Sequence, residues 1–409
     1  MSGDAAQSLG VYISIPFCRS KCTYCNFASG VYAATDHARY VQRVIEDLTG
    51  AGAWAAGIGV ELPRRADTVY FGGGTPTLLA PELLARLFAA LRREFEVDSD
   101  AEITVECAPG QLADATLEAL VAAGVNRVSL GVQSFVDVEA HGSGRLHDRA
   151  IVARDLERLR AAGMTNLNVD LIAGLAGQTF ASWEKSLDAL IESDVPHASI
   201  YMLEVDEDSR LGRELLQGGA RFRAALVPGD DAIACIYERA IERLEMAGIR
   251  QYEISNFSRP GFESRHNLRY WQRRPYLGLG LDASALHAAA FWTSDGERTK
   301  SRPMVRSSIT DDLNAYLAGA GTPEIAWLSP ERQHEEAWFL GLRMNQGVEV
   351  AALEREFGGA MVAPAMETVS QLVNDGLLTF DGARVRLTAR GRLISNEVFQ
   401  EFLAESQPA

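Results

Sequence analysis

The stretch Tyr12-Ile-Ser-Ile-Pro-Phe-Cys18-Arg-Ser-Lys-Cys22-Thr-Tyr-Cys25-Asn-Phe27 places three of the five cysteines of the chain within eight residues, at C-x3-C-x2-C spacing. An apolar run typical of a β-strand comes directly before the first cysteine. Thiolates are soft ligands that select iron-sulfur clusters, zinc or copper(I). A single cysteine is often a buried apolar residue, but three at this spacing indicate a metal-binding loop.

The number of cysteines in the loop indicates the kind of metal site. A [4Fe-4S] cluster is held by up to four thiolates, and Cys18, Cys22 and Cys25 supply three. The fourth iron would stay open to another molecule, as a catalytic zinc keeps one position free. Structural zinc is disfavoured because Cys107 and Cys235 are isolated and distant, whereas such sites combine paired cysteine motifs. An odd number of cysteines in a long chain also argues against a disulfide framework.

Composition restricts the class of partner. The chain has 409 residues, with 39 Lys and Arg against 55 Asp and Glu and a formal net charge of -16. This charge opposes binding to nucleic acid or to anionic lipid. The first ten residues lack the features of a signal peptide, and no apolar run reaches the roughly 18 residues of a membrane span. We therefore expect a cytoplasmic protein without a membrane span, in a compartment that keeps thiols reduced.

Short β-branched runs alternate with stretches of helical period over the first half of the chain, as in repeated βα units. The predicted strands cover residues 11–15, 68–71, 102–106, 127–130, 168–172 and 199–203, and the predicted helices cover residues 37–55, 81–95, 114–123, 149–162 and 180–192. Six such units predict an α/β fold, a partial (β/α)6 TIM-like barrel. Reactive groups of parallel βα folds gather at the carboxyl ends of the strands.

The second half of the chain predicts a separate small domain. After a helix at residues 230–247 and a strand at 250–254, residues 255–290 show no clear period, and residues 294–312 have the polar composition of a surface loop. Helices at residues 330–344, 350–357 and 364–374 precede a hairpin that turns at Asp381-Gly382. We assign residues 1–300 to the barrel and residues 301–409 to a winged-helix-like domain. DNA binding is disfavoured because the helix at 364–374 carries Glu367 and no Lys or Arg.

Polar and glycine residues follow the predicted strands, where a ligand is expected. Gly72-Gly-Gly74-Thr75-Pro76 follows the second strand, and glycines without a side chain allow a ligand or a backbone to approach closely. Glu106 ends the third predicted strand and Gln133 follows the fourth, while Asp170 lies between apolar residues within the fifth, where a buried acid needs a partner. The forked guanidinium of Arg145 suits a carboxylate. Taken singly, these are ordinary surface or turn residues; beside a cysteine loop they indicate a ligand site.

Five segments together resemble one known family. They are the cysteine stretch itself, Phe71-Gly-Gly-Gly-Thr-Pro76, Gly131-Val-Gln-Ser-Phe135, Asp170-Leu-Ile-Ala-Gly-Leu-Ala-Gly-Gln-Thr179 and His266-Asn-Leu-Arg-Tyr-Trp271. Over nearly its whole length the chain is similar to the radical S-adenosylmethionine (SAM) family of oxygen-independent coproporphyrinogen III oxidases and its HemW-type heme-chaperone branch. The resemblance implies a [4Fe-4S] cluster on Cys18, Cys22 and Cys25 that reduces SAM by one electron. It also implies that SAM contacts Tyr12, Gly73, Gly74, Thr75, Glu106, Gln133, Arg145 and Asp170.

Two features favour the chaperone branch of that family. Phe27 stands where the oxidases usually carry a fourth cysteine, and Cys18 comes too early for their N-terminal extension. The segment beginning at His266 fits the pattern linked to heme in the chaperones, and imidazole is a common axial ligand of heme iron; without the family, a histidine bonded within a loop is the simpler interpretation.

The resemblance therefore implies a HemW-type chaperone that hands heme to respiratory heme proteins and takes electrons from a donor such as a flavodoxin or ferredoxin. One alternative is an enzyme that decarboxylates coproporphyrinogen III to protoporphyrinogen IX. Another is a simple [4Fe-4S] electron-transfer protein, which the SAM-site residues disfavour. Whether the chain is an enzyme stays open, and we predict no catalytic residue.

Overall fold

The computed structural model describes residues 8–290, 302–319 and 323–403. Within these residues the strands form a thirteen-stranded mixed sheet and a three-stranded sheet. The strands are β1 (Ser8–Ile15), β2 (Val60–Glu61), β3 (Arg65–Gly73), β4 (Glu96–Cys107), β5 (Arg127–Gln133), β6 (Asn166–Ala173), β7 (His197–Met202), β8 (Arg250–Glu253), β9 (Asn256–Ser258), β10 (Tyr276–Leu279), β11 (Ser284–Ala289), β12 (Met304–Ser308), β13 (Glu324–Leu328), β14 (Val348–Glu349), β15 (Leu378–Phe380) and β16 (Arg384–Leu387).

The helices connect and cover these strands. They are α1 (Ala34–Gly57), α2 (Pro81–Glu94), α3 (Asp114–Ala122), α4 (Asp137–Gly142), α5 (Arg149–Ala161), α6 (Phe180–Glu192), α7 (Arg210–Gln217), α8 (Asp230–Met246), α9 (Arg265–Trp271), α10 (Leu313–Leu317), α11 (Pro330–Arg343), α12 (Val350–Phe357), α13 (Gly359–Asn374), α14 (Ala389–Leu393) and α15 (Ser395–Gln400). None of the helices described is long and apolar enough to cross a bilayer.

Six parallel strands form the centre of the large sheet, in the order β1-β3-β4-β5-β6-β7. These are the six strands that the sequence predicted, and α1, α2, α3, α5 and α6 lie near the predicted helices. The predicted partial (β/α)6 barrel is confirmed. β10 extends the sheet in parallel beside β1, whereas β9 and β8 end the other side in antiparallel orientation.

Apolar side chains that pack in the core alternate along the barrel strands with side chains that face the inside of the barrel. In β1, Val11, Ile13 and Ile15 are fully buried in the core, which also contains Tyr40 and Val44 of α1. Side chains of a strand point alternately to opposite faces. The intervening positions therefore face the inside of the barrel, where polar residues collect.

Helix α9 packs against the first part of the barrel strands, in a segment to which the sequence analysis assigned no element. Arg269 is fully buried and pairs with Asp67 at the start of β3, and Arg274 reaches the same carboxylate at 2.9 Å. A Cβ on Gly10 would lie 2.4 Å from Cδ of Arg269. Only a glycine therefore leaves room for this side chain, and no local period reveals the contact.

The C-terminal helices and the three-stranded sheet have an apolar core of their own. Trp338, Leu353, Val369 and Val385 belong to it. The predicted hairpin is confirmed as β15 and β16, and α13 begins five residues before the predicted helix start. This arrangement agrees with the predicted winged-helix-like domain.

The segment predicted as a surface loop at residues 294–312 is a strand from Met304 to Ser308, so the prediction is wrong there. Residues 294–301 lie outside the described part. β12 pairs with β11 and β13, and Val305 is fully buried. The polar residues beside Val305 in β12 gave this segment the composition of a loop, so the strand was not predicted. Since β12 and β13 continue the large sheet, we propose that the domain boundary lies near Ser329, after the position expected at residue 301.

Removing the carboxylate beside Arg269 should destabilise the barrel. We expect Asp67→Ala to lower the free energy of unfolding by about 3–5 kcal/mol, because a buried guanidinium would lose its anionic partner. Urea unfolding monitored by circular dichroism measures this change. Glu192→Ala is the control, since it removes the exposed partner of Arg149 and should cost about 1 kcal/mol or less. Equal losses in the two variants would contradict a structural role for the buried pair.

Candidate functional site

A cavity of about 610 Å³ lies at the carboxyl ends of the barrel strands and contains most of the predicted site. All predicted site residues except Tyr12 and His266 line it, namely Cys18, Cys22, Cys25, Gly73, Gly74, Thr75, Glu106, Gln133, Arg145 and Asp170. They lie on β3, β4, β5 and β6 or in the segments that follow β1, β3 and β5. The convergence agrees with the expectation that reactive groups of a parallel βα fold gather at this end.

Backbone hydrogen bonds hold the cysteine loop at the edge of this cavity. The amide of Cys18 donates to the carbonyl of Gly30 at 2.8 Å, and the amide of Thr23 donates to the carbonyl of Ser143 at 3.0 Å. Gly144 has a φ of +92°, and a Cβ there would lie 3.1 Å from Cα of Cys22. The loop is thus fixed through its backbone, which leaves the thiols at the cavity wall.

The thiols fit a cluster better than a single metal ion. Among the described residues, no three His, Cys, Asp or Glu side chains converge on one ion. A [4Fe-4S] cluster does not require such convergence, because each cysteine binds a different iron. Burial raises the pKa of the Cys18 thiol, so a nearby cation is needed to favour its thiolate. Iron supplies that charge, and Nη1 of Arg145 lies 3.5 Å from Sγ of Cys22.

The glycine run joins the end of β3 to the cysteine loop. The amide of Gly74 donates to the carbonyl of Ile15, and that of Thr75 donates to the carbonyl of Phe17, each at 2.8 Å. A Cβ on Gly74 would lie 2.8 Å from both carbonyl oxygens. Gly73 has a φ of +99°, a conformation that favours glycine. These glycines therefore set the position of the loop as well as lining the cavity.

Two half-buried carboxyl groups face the cavity from neighbouring strands. Glu106 accepts hydrogen bonds from the hydroxyl of Tyr70 at 2.8 Å and from the amide of Gly73 at 3.1 Å. Asp170 accepts from Ser129 at 3.0 Å and from Asn168 at 2.7 Å. Burial raises the pKa of Glu106 to about 7 and also raises the pKa of Asp170. A cationic group or hydroxyls of a ligand would favour the ionised carboxylates here.

Gln133 and Arg145 lie close together on the other side of the cavity. Gln133 has a φ of 68° and follows a register shift in the pairing of β5 with β6. Such a register shift changes the direction in which a side chain points at the end of a strand. Arg145 donates to the carbonyl of Gly131 and also reaches Cys22, so its guanidinium lies between the end of β5 and the cysteine loop.

Tyr12 and His266 lie in an adjoining cavity of about 270 Å³, which Glu106, Tyr70 and Gly73 also line. His266 is only 1% exposed. Its Nδ1 lies 2.9 Å from Oγ1 of Thr68, and its Nε2 lies 2.8 Å from the hydroxyl of Tyr270. Burial lowers the pKa of this imidazole to about 3. Both ring nitrogens are therefore engaged in this conformation, and neither is free to bind iron.

Sequence reasoning missed several residues of the central cavity, which are Tyr70, Arg127, Ser129, Asn168, Ser199 and Tyr201. They occupy inward-facing positions within the predicted strands, whereas most of the predicted site residues end or follow a strand. The alternation of side chains was a usable signal, because these positions break the apolar runs with polar residues at a spacing of two.

Comparison with protein families places the chain in a known class. Residues 12–190 match the model of the radical SAM superfamily, and residues 328–394 match the model of the HemN C-terminal domain. In structure, the chain is similar to the coproporphyrinogen III oxidase HemN of Escherichia coli, with a TM-score of 0.80, 22% identity and coverage of 97% of this chain and 90% of that one. This likeness shows the same fold.

Relatives of similar length define the family more closely. The chain is 35% identical to the heme chaperone HemW of Escherichia coli, over 97% of this chain and 98% of that protein. It is 34% identical to the heme chaperone HemW of Bacillus subtilis, over 96% and 99% respectively. The chain belongs to the HemW family within the radical SAM superfamily. Its cofactors are accordingly a [4Fe-4S] cluster and SAM.

Replacing a cysteine of the loop should remove the cluster. We expect Cys18→Ala, Cys22→Ala and Cys25→Ala each to reduce the iron and sulfide content of anaerobically reconstituted protein to background and to abolish its visible absorption. Cys235→Ala is the matched control, because this exposed cysteine lies far along the chain. Unchanged iron and sulfide in the loop variants would exclude this cluster site.

Glu106 should make stability depend on pH. Its pKa of about 7 lies above its ordinary value of 4.5, so the folded state binds more protons than the unfolded state between these values. Its contribution to stability is complete below about pH 4.5 and is lost as pH rises through about 7. The free energy of unfolding should fall faster with pH in the wild type than in Glu106→Gln, by at most about 1.4 kcal/mol per pH unit. Urea titrations of cluster-free protein from pH 5 to 8 measure this slope, and parallel slopes would contradict the assignment.

Proposed function

We propose that the protein is a heme chaperone that binds heme and transfers it to heme proteins, with its cluster and SAM held in the central cavity. One observation carries the proposal: the three thiols and the polar side chains of the strands converge on one cavity, in a chain similar over nearly its whole length to heme chaperones. A simple electron-transfer protein would not require Glu106, Gln133, Arg145 and Asp170 around the same space.

The residues of the cavity divide into two groups in this proposal. Cys18, Cys22 and Cys25 hold the cluster, while Gly73, Gly74, Thr75, Glu106, Gln133, Arg145 and Asp170 hold SAM. The cluster and SAM supply one-electron chemistry when bound. Glu106 suits an ammonium, Asp170 suits hydroxyl groups, and Arg145 suits a carboxylate. Because the carboxyl groups have fixed hydrogen-bond donors, they are positioned before a ligand arrives.

His266 remains the proposed heme contact, and Tyr12 beside it remains a proposed SAM contact. Coordination of heme iron by Nε2 of His266 requires that the imidazole exchange its contact with Tyr270 for the metal. Both side chains belong to α9, so this exchange would break a side-chain contact within that helix. Tyr12, Tyr70 and Tyr270 line the same adjoining cavity as His266, and Tyr70 also lines the central cavity.

The partners and location follow from the same proposal. The recipients would be respiratory heme proteins, and a flavodoxin or ferredoxin would supply electrons. A cytoplasmic location fits the reduced thiols that cluster assembly needs. The excess of acidic residues, with a net charge of -16, fits protein and small-molecule partners better than nucleic acid.

Heme binding and transfer test the proposal directly. We expect anaerobically reconstituted protein to bind heme in a visible titration and to release it to an apo-cytochrome b. His266→Ala should bind heme at least about tenfold more weakly, because it lacks the proposed axial ligand, whereas Cys235→Ala should bind like the wild type. An unaltered titration of His266→Ala would remove that residue from the site.

A parallel assay distinguishes the proposed chaperone from a coproporphyrinogen III oxidase. Coproporphyrinogen III, reductant and SAM are supplied without oxygen, and protoporphyrinogen IX is measured after oxidation to the fluorescent porphyrin. We expect no product above the level of the Cys18→Ala variant. Product formation without heme binding would favour the oxidase and overturn the chaperone proposal.

A further inference from the structure

Arg127 is a buried cation whose position none of the proposed roles explains. It begins β5 and is only 1% exposed. It pairs in register with Thr104 of β4 and lies two residues before Ser129 on the same strand, so it faces the inside of the barrel. Its side chain lines the central cavity together with Glu106 and Asp170.

The guanidinium of Arg127 has no hydrogen-bond or ion-pair partner among the described residues. Its Nε is buried and without a partner. The contrast with Arg269 is informative, since that equally buried guanidinium has the carboxylate of Asp67 and the carbonyl of Pro275 within reach. A buried charge without a partner is unfavourable, and proteins normally pair it. The missing partner of Arg127 is therefore expected to come from a ligand.

The nearby carboxyl groups do not supply that partner. Glu106 is held by Tyr70 and Gly73, and Asp170 is held by Ser129 and Asn168. Arg127 acts on both carboxyl groups through its charge, which lowers their pKa values against the larger effect of burial. The donors of its guanidinium remain available to a molecule in the cavity.

We infer that Arg127 binds a carboxylate group of a ligand that occupies the central cavity. A guanidinium presents two parallel N–H donors that match the two oxygens of a carboxylate, and the charged pair strengthens both hydrogen bonds. The buried position adds to this strength because water does not compete there.

Two ligands of the proposed function carry such a group, namely SAM and heme. Arg145, the proposed partner of the SAM carboxylate, donates to Gly131, which is four residues beyond Arg127 on β5. Four residues of a strand span about 13 Å, so the two guanidinium groups enter the cavity at different depths. This separation favours a second carboxylate, a propionate side chain of heme, and this choice of ligand rests on the proposed function.

The test compares Arg127→Gln and Arg127→Lys with the wild type. Heme and heme dimethyl ester, in which both propionates are neutral, are titrated separately into each protein, and SAM binding is measured by equilibrium dialysis. Arg149→Gln is the matched control, because its exposed side chain lies on α5 and pairs with Glu192. Thermal melts followed by circular dichroism verify that each variant is folded.

We expect the wild type to bind heme more tightly than its dimethyl ester. Arg127→Gln should bind heme roughly 10- to 100-fold more weakly and should lose this preference, because a hydrogen bond to a charged group is lost. The heme affinity of Arg127→Lys should lie between those of the wild type and Arg127→Gln, since lysine keeps the positive charge but lacks the two parallel N–H donors of the guanidinium. If Arg127→Gln instead weakens only the binding of SAM by a similar factor, the carboxylate that Arg127 binds is that of SAM.

Other outcomes separate this inference from the proposed function. A wild type that binds no heme would overturn the chaperone proposal, and the SAM measurement would then decide the role of Arg127. Unchanged affinities for heme, ester and SAM in folded Arg127→Gln or Arg127→Lys would overturn the inference while the chaperone proposal stands. If Arg127→Gln does not fold, Arg127→Lys is compared with the wild type instead. An unaltered preference of Arg127→Lys for heme over the dimethyl ester would then count against the inference.

Discussion

The close approach of two strand ends determines where the cysteine loop lies. The amides of Gly74 and Thr75 donate to carbonyls on either side of Pro16, so the turn after β3 and the loop after β1 share hydrogen bonds. A side chain at Gly74 would collide with both carbonyl oxygens. The glycines therefore do more than make room for a ligand. They couple the position of the thiols to the parallel pairing of β1 with β3, and through that pairing to the rest of the barrel.

The sequence was sufficient for the barrel because the necessary information is local. Each strand is a short β-branched run, each helix has its own apolar period, and the residue after a strand is automatically placed at the carboxyl end of the sheet. Eight of the ten site residues that line the central cavity end or follow a predicted strand, whereas Arg145 and Asp170 were assigned by the resemblance. The resemblance to a family contributed the identity of the ligands, which residue spacing did not determine.

The features that escaped prediction depend on contacts between distant parts of the chain. Helix α9 is short, and its central arginine is buried against Gly10 and Asp67, about 200 residues or more earlier. β12 has a single fully buried apolar residue, Val305, and owes its place to pairing with both neighbours. Arg127 looked like the polar start of a strand. The two arginines are buried because a specific partner or cavity receives them, and β12 is a strand because both of its neighbours pair with it. Composition does not encode these long-range contacts.

The position of His266 connects the fold to the proposed handling of heme. In the described conformation its imidazole bridges Thr68 and Tyr270, and its backbone amide donates to Glu102 of β4 at 3.0 Å. His266, the proposed heme contact, therefore also helps to hold α9 against the barrel strands. If the imidazole leaves Tyr270 to bind iron, a contact within α9 is lost, while the bonds of Nδ1 to Thr68 and of the backbone amide to Glu102 can persist. Heme bound through His266 would lie next to Tyr70 and Glu106, which are among the residues that line both cavities. Occupancy of the heme site would therefore be connected to the neighbouring SAM cavity through these shared residues.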